Sequence, residues 1–138
     1  MPTATYNKFQ PAIENLFEGI NAGSDSWYIK LATAVSAAGG TITEVANGNG
    51  YTTGGLSATT TSAAQTGGTF KLVLAGPSSG NFVWTATGAG FSFQYAVLVD
   101  STTGTNVAYW DYGSSQAVAA GETVTVTLDG TNGVFQAT

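Results

Sequence analysis

Histidine, cysteine and arginine are absent from this 138-residue chain, which holds only three lysines and eight carboxylates. Each absence excludes a chemistry. Without histidine no imidazole titrates near neutral pH, and without cysteine there is no thiolate nucleophile and no disulfide framework. Without arginine there is no planar fork for bidentate recognition of phosphate. The net charge is −5, and Lys8, Lys30 and Lys71 lie scattered along the sequence. Nucleic-acid binding needs clustered cations, so no nucleic-acid partner is expected. Long apolar runs are lacking too: none approaches the roughly 20 residues of a membrane span, so no membrane partner is expected. The opening from Met1 to Tyr6 is polar and lacks the basic and apolar regions of a signal peptide. These features predict a protein kept in the cytosol or carried out of it inside a larger particle.

What remains is mostly Gly, Thr, Ser, Ala and aromatics. Charged residues make up 8% of the chain, against about 25% in an average globular protein. Two readings follow. Either a Thr/Ser/Asn coat is wetted directly by water, or partner subunits cover much of the surface, since charge is depleted at interface cores. The length fits one domain, residues 1–138.

Hydrophobic spacing predicts one helix over residues 8–20, preceded by an N-terminal arm at 1–6. Phe9, Ile13, Leu16, Phe17 and Ile20 recur at intervals of three and four, a stripe suited to packing on a sheet. Asn7 or Gln10 is the candidate N-cap, with Pro11 in the first turn. After Gly23 the period becomes two. Strands are predicted at Trp27–Ala32, Phe70–Leu74, around Phe82–Trp84, at Phe91–Val99, Thr105–Tyr112, near Val118, at Thr123–Leu128 and at Val134–Ala137, while Thr41–Val45 is either a short strand or the start of the loop that follows it. A long Gly/Asn/Thr loop is read through Thr61. The fold class is therefore all-β: an antiparallel β-sandwich or barrel of seven to nine short strands with one N-terminal α-helix.

No motif carries catalytic chemistry. The stretch Gly48-Asn49-Gly50-Tyr51-Thr52-Thr53-Gly54-Gly55 is not a phosphate loop, because no Gly-Lys-Ser/Thr follows it. Asp111, between Trp110 and Tyr112, is the one carboxylate weighed as an acid; Glu44, Asp100, Glu122 and Asp129 fall at strand ends, where capping of turn amides explains them. The many serines have no base beside them in sequence. No catalytic residue, metal or cofactor is expected, and the chain is not read as an enzyme. Trp27, Trp84, Trp110, Tyr51 and Tyr112 are either core aromatics or a sugar-stacking platform.

Five stretches carry a resemblance: TATYNKF (Thr3–Phe9), GSDSWYIKLA (Gly23–Ala32), ITEVANGNGYTTGG (Ile42–Gly55), YWDYGSS (Tyr109–Ser115) and AAGETVTVTLDGTNGVFQ (Ala119–Gln136). With the FKLVLAG segment they make the chain resemble a family of small virion structural proteins of tailed bacteriophages. It departs from that pattern in the Ala/Gly-rich stretch from Ala34 to Gly40 and at Pro11. The resemblance implies a head decoration protein that stabilises the capsid shell, located in the virion and made in the host cytoplasm. Its partners would be the major capsid protein or other virion proteins, and copies of itself in a homo-oligomer. A tail or neck component, or a carbohydrate-binding adhesion module, are the alternatives. The expected contact residues are Pro2, Thr3, Thr5 and Tyr6 in the arm and Asn47, Asn49, Tyr51 and Thr52 in the loop. An extended arm can add a strand to a neighbour, and a Gly/Asn loop can approach another backbone closely.

Overall fold

Alternating apolar and polar residues bury one face of a strand, and this chain answers that pattern with two layers of antiparallel sheet. A computed structural model describes residues 3–137. Met1, Thr138 and the expected contact residue Pro2 lie outside the described residues. Eleven strands and one helix occur among the described residues: β1 Thr5–Lys8, α1 Gln10–Glu18, β2 Trp27–Ser36, β3 Thr41–Glu44, β4 Leu56–Ser57, β5 Thr59–Thr66, β6 Thr69–Ala75, β7 Phe82–Thr85, β8 Phe91–Asp100, β9 Thr105–Val118, β10 Thr123–Val126 and β11 Phe135–Ala137. The larger sheet has the order β1-β9-β8-β2-β3, and β4 pairs with β2 beside Tyr28 and Ile29. Two small sheets, β11-β6-β5 and β10-β7, form the second layer.

Directly paired residues share a face, so the register shows which side is the core. Trp27, Ile29 and Leu31 stand opposite Asp100, Leu98 and Ala96. All six are buried, and Trp27 meets Phe135 of the second layer with ring centroids 6.0 Å apart. Leu72 and Leu74 of β6, Phe82 and Trp84 of β7, and Val124 and Val126 of β10 fill the space from the other side. At the free β1 edge the same inner face carries Trp110 and its partner Tyr6. The opposite face, through Lys30, Val97 and Tyr109, is covered in part by Phe9, whose ring lies 5.0 Å from that of Tyr109.

The structure corrects several sequence expectations. The segment Thr5–Lys8 is not a free arm: it is a strand paired in register with Ala108–Asp111 of β9. β5 begins in what was read as the end of the long loop and runs on through Ser62–Thr66, which were assigned no element, because its Thr/Ser/Ala composition has little hydrophobic alternation to betray a strand. β1 and β4 were likewise unexpected, and Val118 is the end of β9 rather than a separate strand. The helix is shorter than residues 8–20, and its N-cap is Phe9, with no side-chain cap. Asn7 instead donates to the Thr5 carbonyl. Most important is which stripe is buried. Phe9 and Ala12 enter the core and Ile20 packs on its margin, while Ile13 and Phe17 face out. Nine residues give about 14 Å of helix. That is long enough to set Phe9 and Ala12 into the core at its start and to carry Phe17 out to solvent.

Candidate functional site

Three places hold the chemistry-bearing side chains. The first is the outer row of α1. Phe17 is 89% exposed and Ile13 42% exposed, and they stand one turn apart. Glu14 and Glu18 run beside them, one residue further round the helix, and both are exposed. The helix is tied at its start, where the Phe9 amide donates to Val107 and the Gln10 amide to Ala37 at 2.9 Å, and just past its end Ile20 packs on the core margin. Burying a phenylalanine is worth about 1.5–3 kcal/mol, so an almost fully exposed one is a reservoir of binding free energy.

The second is the loop from Asn47 to Gly54. Hydrogen bonds within the loop and to its neighbours hold its shape. Asn47 accepts from the Thr53 amide at 3.0 Å, and the Asn49 carbonyl accepts from Thr87 at 2.9 Å. Gly50 and Gly55 take left-handed backbone and lie against the carbonyls of Thr85 and Ile29, where a Cβ would collide. Tyr51 overturns its expected role as a contact residue. It is buried, its ring near Trp84 and Phe91, and its hydroxyl donates to Glu44 at 2.7 Å and accepts the Leu31 amide at 3.1 Å. Burial first, and then the hydrogen bond to Glu44, push the Tyr51 phenol far above its ordinary value. Glu44 also accepts from Gly54 at 2.6 Å and pairs with Lys30 at 3.4 Å. This network locks the loop to the sheet. Of the expected contact residues, Asn47, Asn49 and Thr52 in the loop and Thr3, Thr5 and Tyr6 in the N-terminal segment are exposed. The two groups are not neighbours through the ladder: Thr5 stands opposite Asp111, whereas the loop abuts Thr85–Ala89.

The third place is a groove between the β1–β9 edge and the second layer. Two adjoining hollows of about 320 and 400 Å³ share Trp110, Thr127 and Leu128. Tyr6 and Trp110 meet edge-on there with centroids 5.6 Å apart. Tyr112 lines one hollow, and Asp129, Asn132 and Gln136 line the other. Of the five aromatics weighed as a platform, Trp27, Trp84 and Tyr51 are core residues, and only Trp110 and Tyr112 reach this groove.

The carboxylates cap turns. Asp111 accepts from the Gly113 amide at 2.8 Å and from Gln94 at 3.1 Å, where the β8–β9 register shifts. Glu122 accepts from Ala119. Asp129 accepts from Thr131 and Asn132, bonds that hold its carboxyl below the usual range. Asp100 also caps Thr102 and Thr103, but it is buried, and burial followed by a hydrogen bond with Asp25 raises its pKa. No protein family, curated protein or solved structure matches the chain. The exposed Ile13–Phe17 row and the Asp25–Asp100 contact were not anticipated. The second stripe was visible as the i, i+4 repeat of Ile13 and Phe17, but periodicity alone does not say which of two adjacent stripes meets the sheet.

Proposed function

We propose that this chain is a non-catalytic assembly protein, a structural component of a tailed-phage particle that decorates the capsid shell and binds the major capsid protein through α1. The observation that supports the reading is the 89% exposure of Phe17 beside the exposed Ile13 on the outer row of α1. Large aromatics in this setting are typical anchors of protein interfaces. Glu14 and Glu18 define the partner's chemistry: an apolar socket bordered by lysine or arginine. The phage assignment rests on the resemblance carried by the five sequence stretches, and a tail or neck position uses the same surface. The double variant Ile13→Ser/Phe17→Ser is expected to lose at least tenfold in binding to purified particles, about 1.4 kcal/mol, with Tm changed little because both side chains face water. Undiminished binding would sink the reading, and cryo-EM of decorated particles separates head from tail.

The aromatic groove favours a second reading, an adhesion module that binds carbohydrate. A half-exposed Trp110 with Tyr6, facing Asn132 and Gln136, offers ring faces and amides to a sugar. On that reading a glycan array gives hits that Trp110→Ala abolishes in a folded protein, and an array without hits excludes it.

A further inference from the structure

An unguarded sheet edge exposes unpaired backbone groups, and proteins usually protect it with lysine, proline or a covering loop. β5 is the outer strand of its three-stranded sheet, and from Thr59 to Gly68 the chain has no charged residue and no proline. A register shift between Thr60 and Ser62 disturbs only its first residues, and Ser62–Thr66 pair without a break against Val73–Thr69. Gly67 and Gly68 both have positive φ, the signature of a two-residue I′ turn, which makes Thr66–Thr69 a hydrogen-bonded pair. Because such pairs alternate, Ala63 and Gln65 direct their amide and carbonyl away from β6. Leu72, opposite Ala63, agrees: its carbonyl accepts the Val134 amide at 2.8 Å, on the side away from β5.

We propose that this edge pairs with the same edge of a second copy, antiparallel, about a two-fold axis through Ala64. In that register Ala63 exchanges both backbone hydrogen bonds with Gln65 of the second copy, and the reverse, while Ser62 faces Thr66. The register is self-complementary, as a two-fold interface requires. Charge selects the same occupant. At a net charge of −5 most encounters between copies are repulsive. This edge is neutral, and the nearest charge on its sheet, Lys71, stands opposite Ala64 in the neighbouring strand. Across the axis two copies of Lys71 sit three strand spacings apart, about 14 Å, beyond the Debye length of about 10 Å at 0.1 M salt. The outer-face residues at the seam, Ser62, Ala64 and Thr66, are small, uncharged and exposed, while Ala63 turns its side chain to the inner face, where Gly23 lies beside it. The product is one six-stranded sheet running through two molecules, in the order β11-β6-β5 and then its mirror sequence. Four hydrogen bonds make a weak dimer in free solution and a strong one where copies are already held side by side. This inference does not depend on the α1 contact.

The test is sedimentation of the purified chain over micromolar to millimolar concentration. Wild type is expected to dimerise. Ala64→Lys and Ala64→Glu, which place like charges face to face at the axis, are each expected to weaken dimerisation at least tenfold. Mixing the two variants restores it. Ala64 is exposed, so both variants keep the fold, and their circular dichroism and Tm verify that. A wild type that stays monomeric throughout overturns the proposal, as does a dimer indifferent to both variants or a mixture that fails to recover. Phe17 variants leave this association unchanged if the two surfaces are separate.

Discussion

Asp25 and Asp100 form the most consequential pair of side chains that spacing did not reveal. Asp100 stands opposite Trp27 at the end of the β2–β8 ladder, fully buried, and its carboxyl shares a hydrogen bond with Asp25 while capping Thr102 and Thr103. Burial and Asp25 raise its pKa, so the folded state holds a proton more tightly than the unfolded chain does. Stability then falls as pH rises from the ordinary carboxylate value through the raised one, because the native state must release a proton it favours. Asp25→Asn keeps an oxygen to accept the Asn21 amide and supplies an amide to donate to ionised Asp100. The variant is expected to be more stable than wild type at neutral pH, with the gain shrinking towards pH 4. Urea denaturation at several pH values reads this directly, and a pH-independent difference would contradict it.

Loops and short elements owe their shape here to single anchors. The glycine-rich loop looked like a pliable contact surface because its composition is Gly, Asn and Thr. Its one aromatic, flanked by glycines, was the clue to the opposite conclusion. Tyr51 is the bolt that fastens the loop under the sheet through Glu44 and Leu31. Tyr51→Phe removes the hydroxyl from a buried main-chain amide and a carboxylate, so it is expected to cost about 1–3 kcal/mol, seen as a lowered urea midpoint with an unchanged slope. The helix shows the same dependence on one anchor. Phe9 decides its rotation, and with Phe9 and Ala12 inward the row of Ile13 and Phe17 has nowhere to go but outward. Strands with strong alternation, such as Phe91–Val99 and Thr123–Leu128, were legible from residue pattern. β5 was not, because threonine, serine and alanine read equally well as loop.

Across the molecule, long-range pairing assembles what lies far apart in the chain. Thr5 stands beside Asp111, and Phe135 beside Leu72. The result is a sandwich with two exposed features, the outer helix row of Ile13 and Phe17 and the bare β5 edge. Composition and periodicity were sufficient for an all-β single layerable chain with one early helix, because burial of alternating apolar residues is a local rule. They also indicated that carboxylates near turns would be spent on turn amides, as Asp100, Glu122 and Asp129 are. Exposure is another matter. Whether Phe17 or Phe9 is buried, whether Tyr51 points to solvent or core, and which strand ends a sheet depend on what arrives from elsewhere in the chain. Those partners are set by packing of the two layers, a non-local property that no window of residues contains.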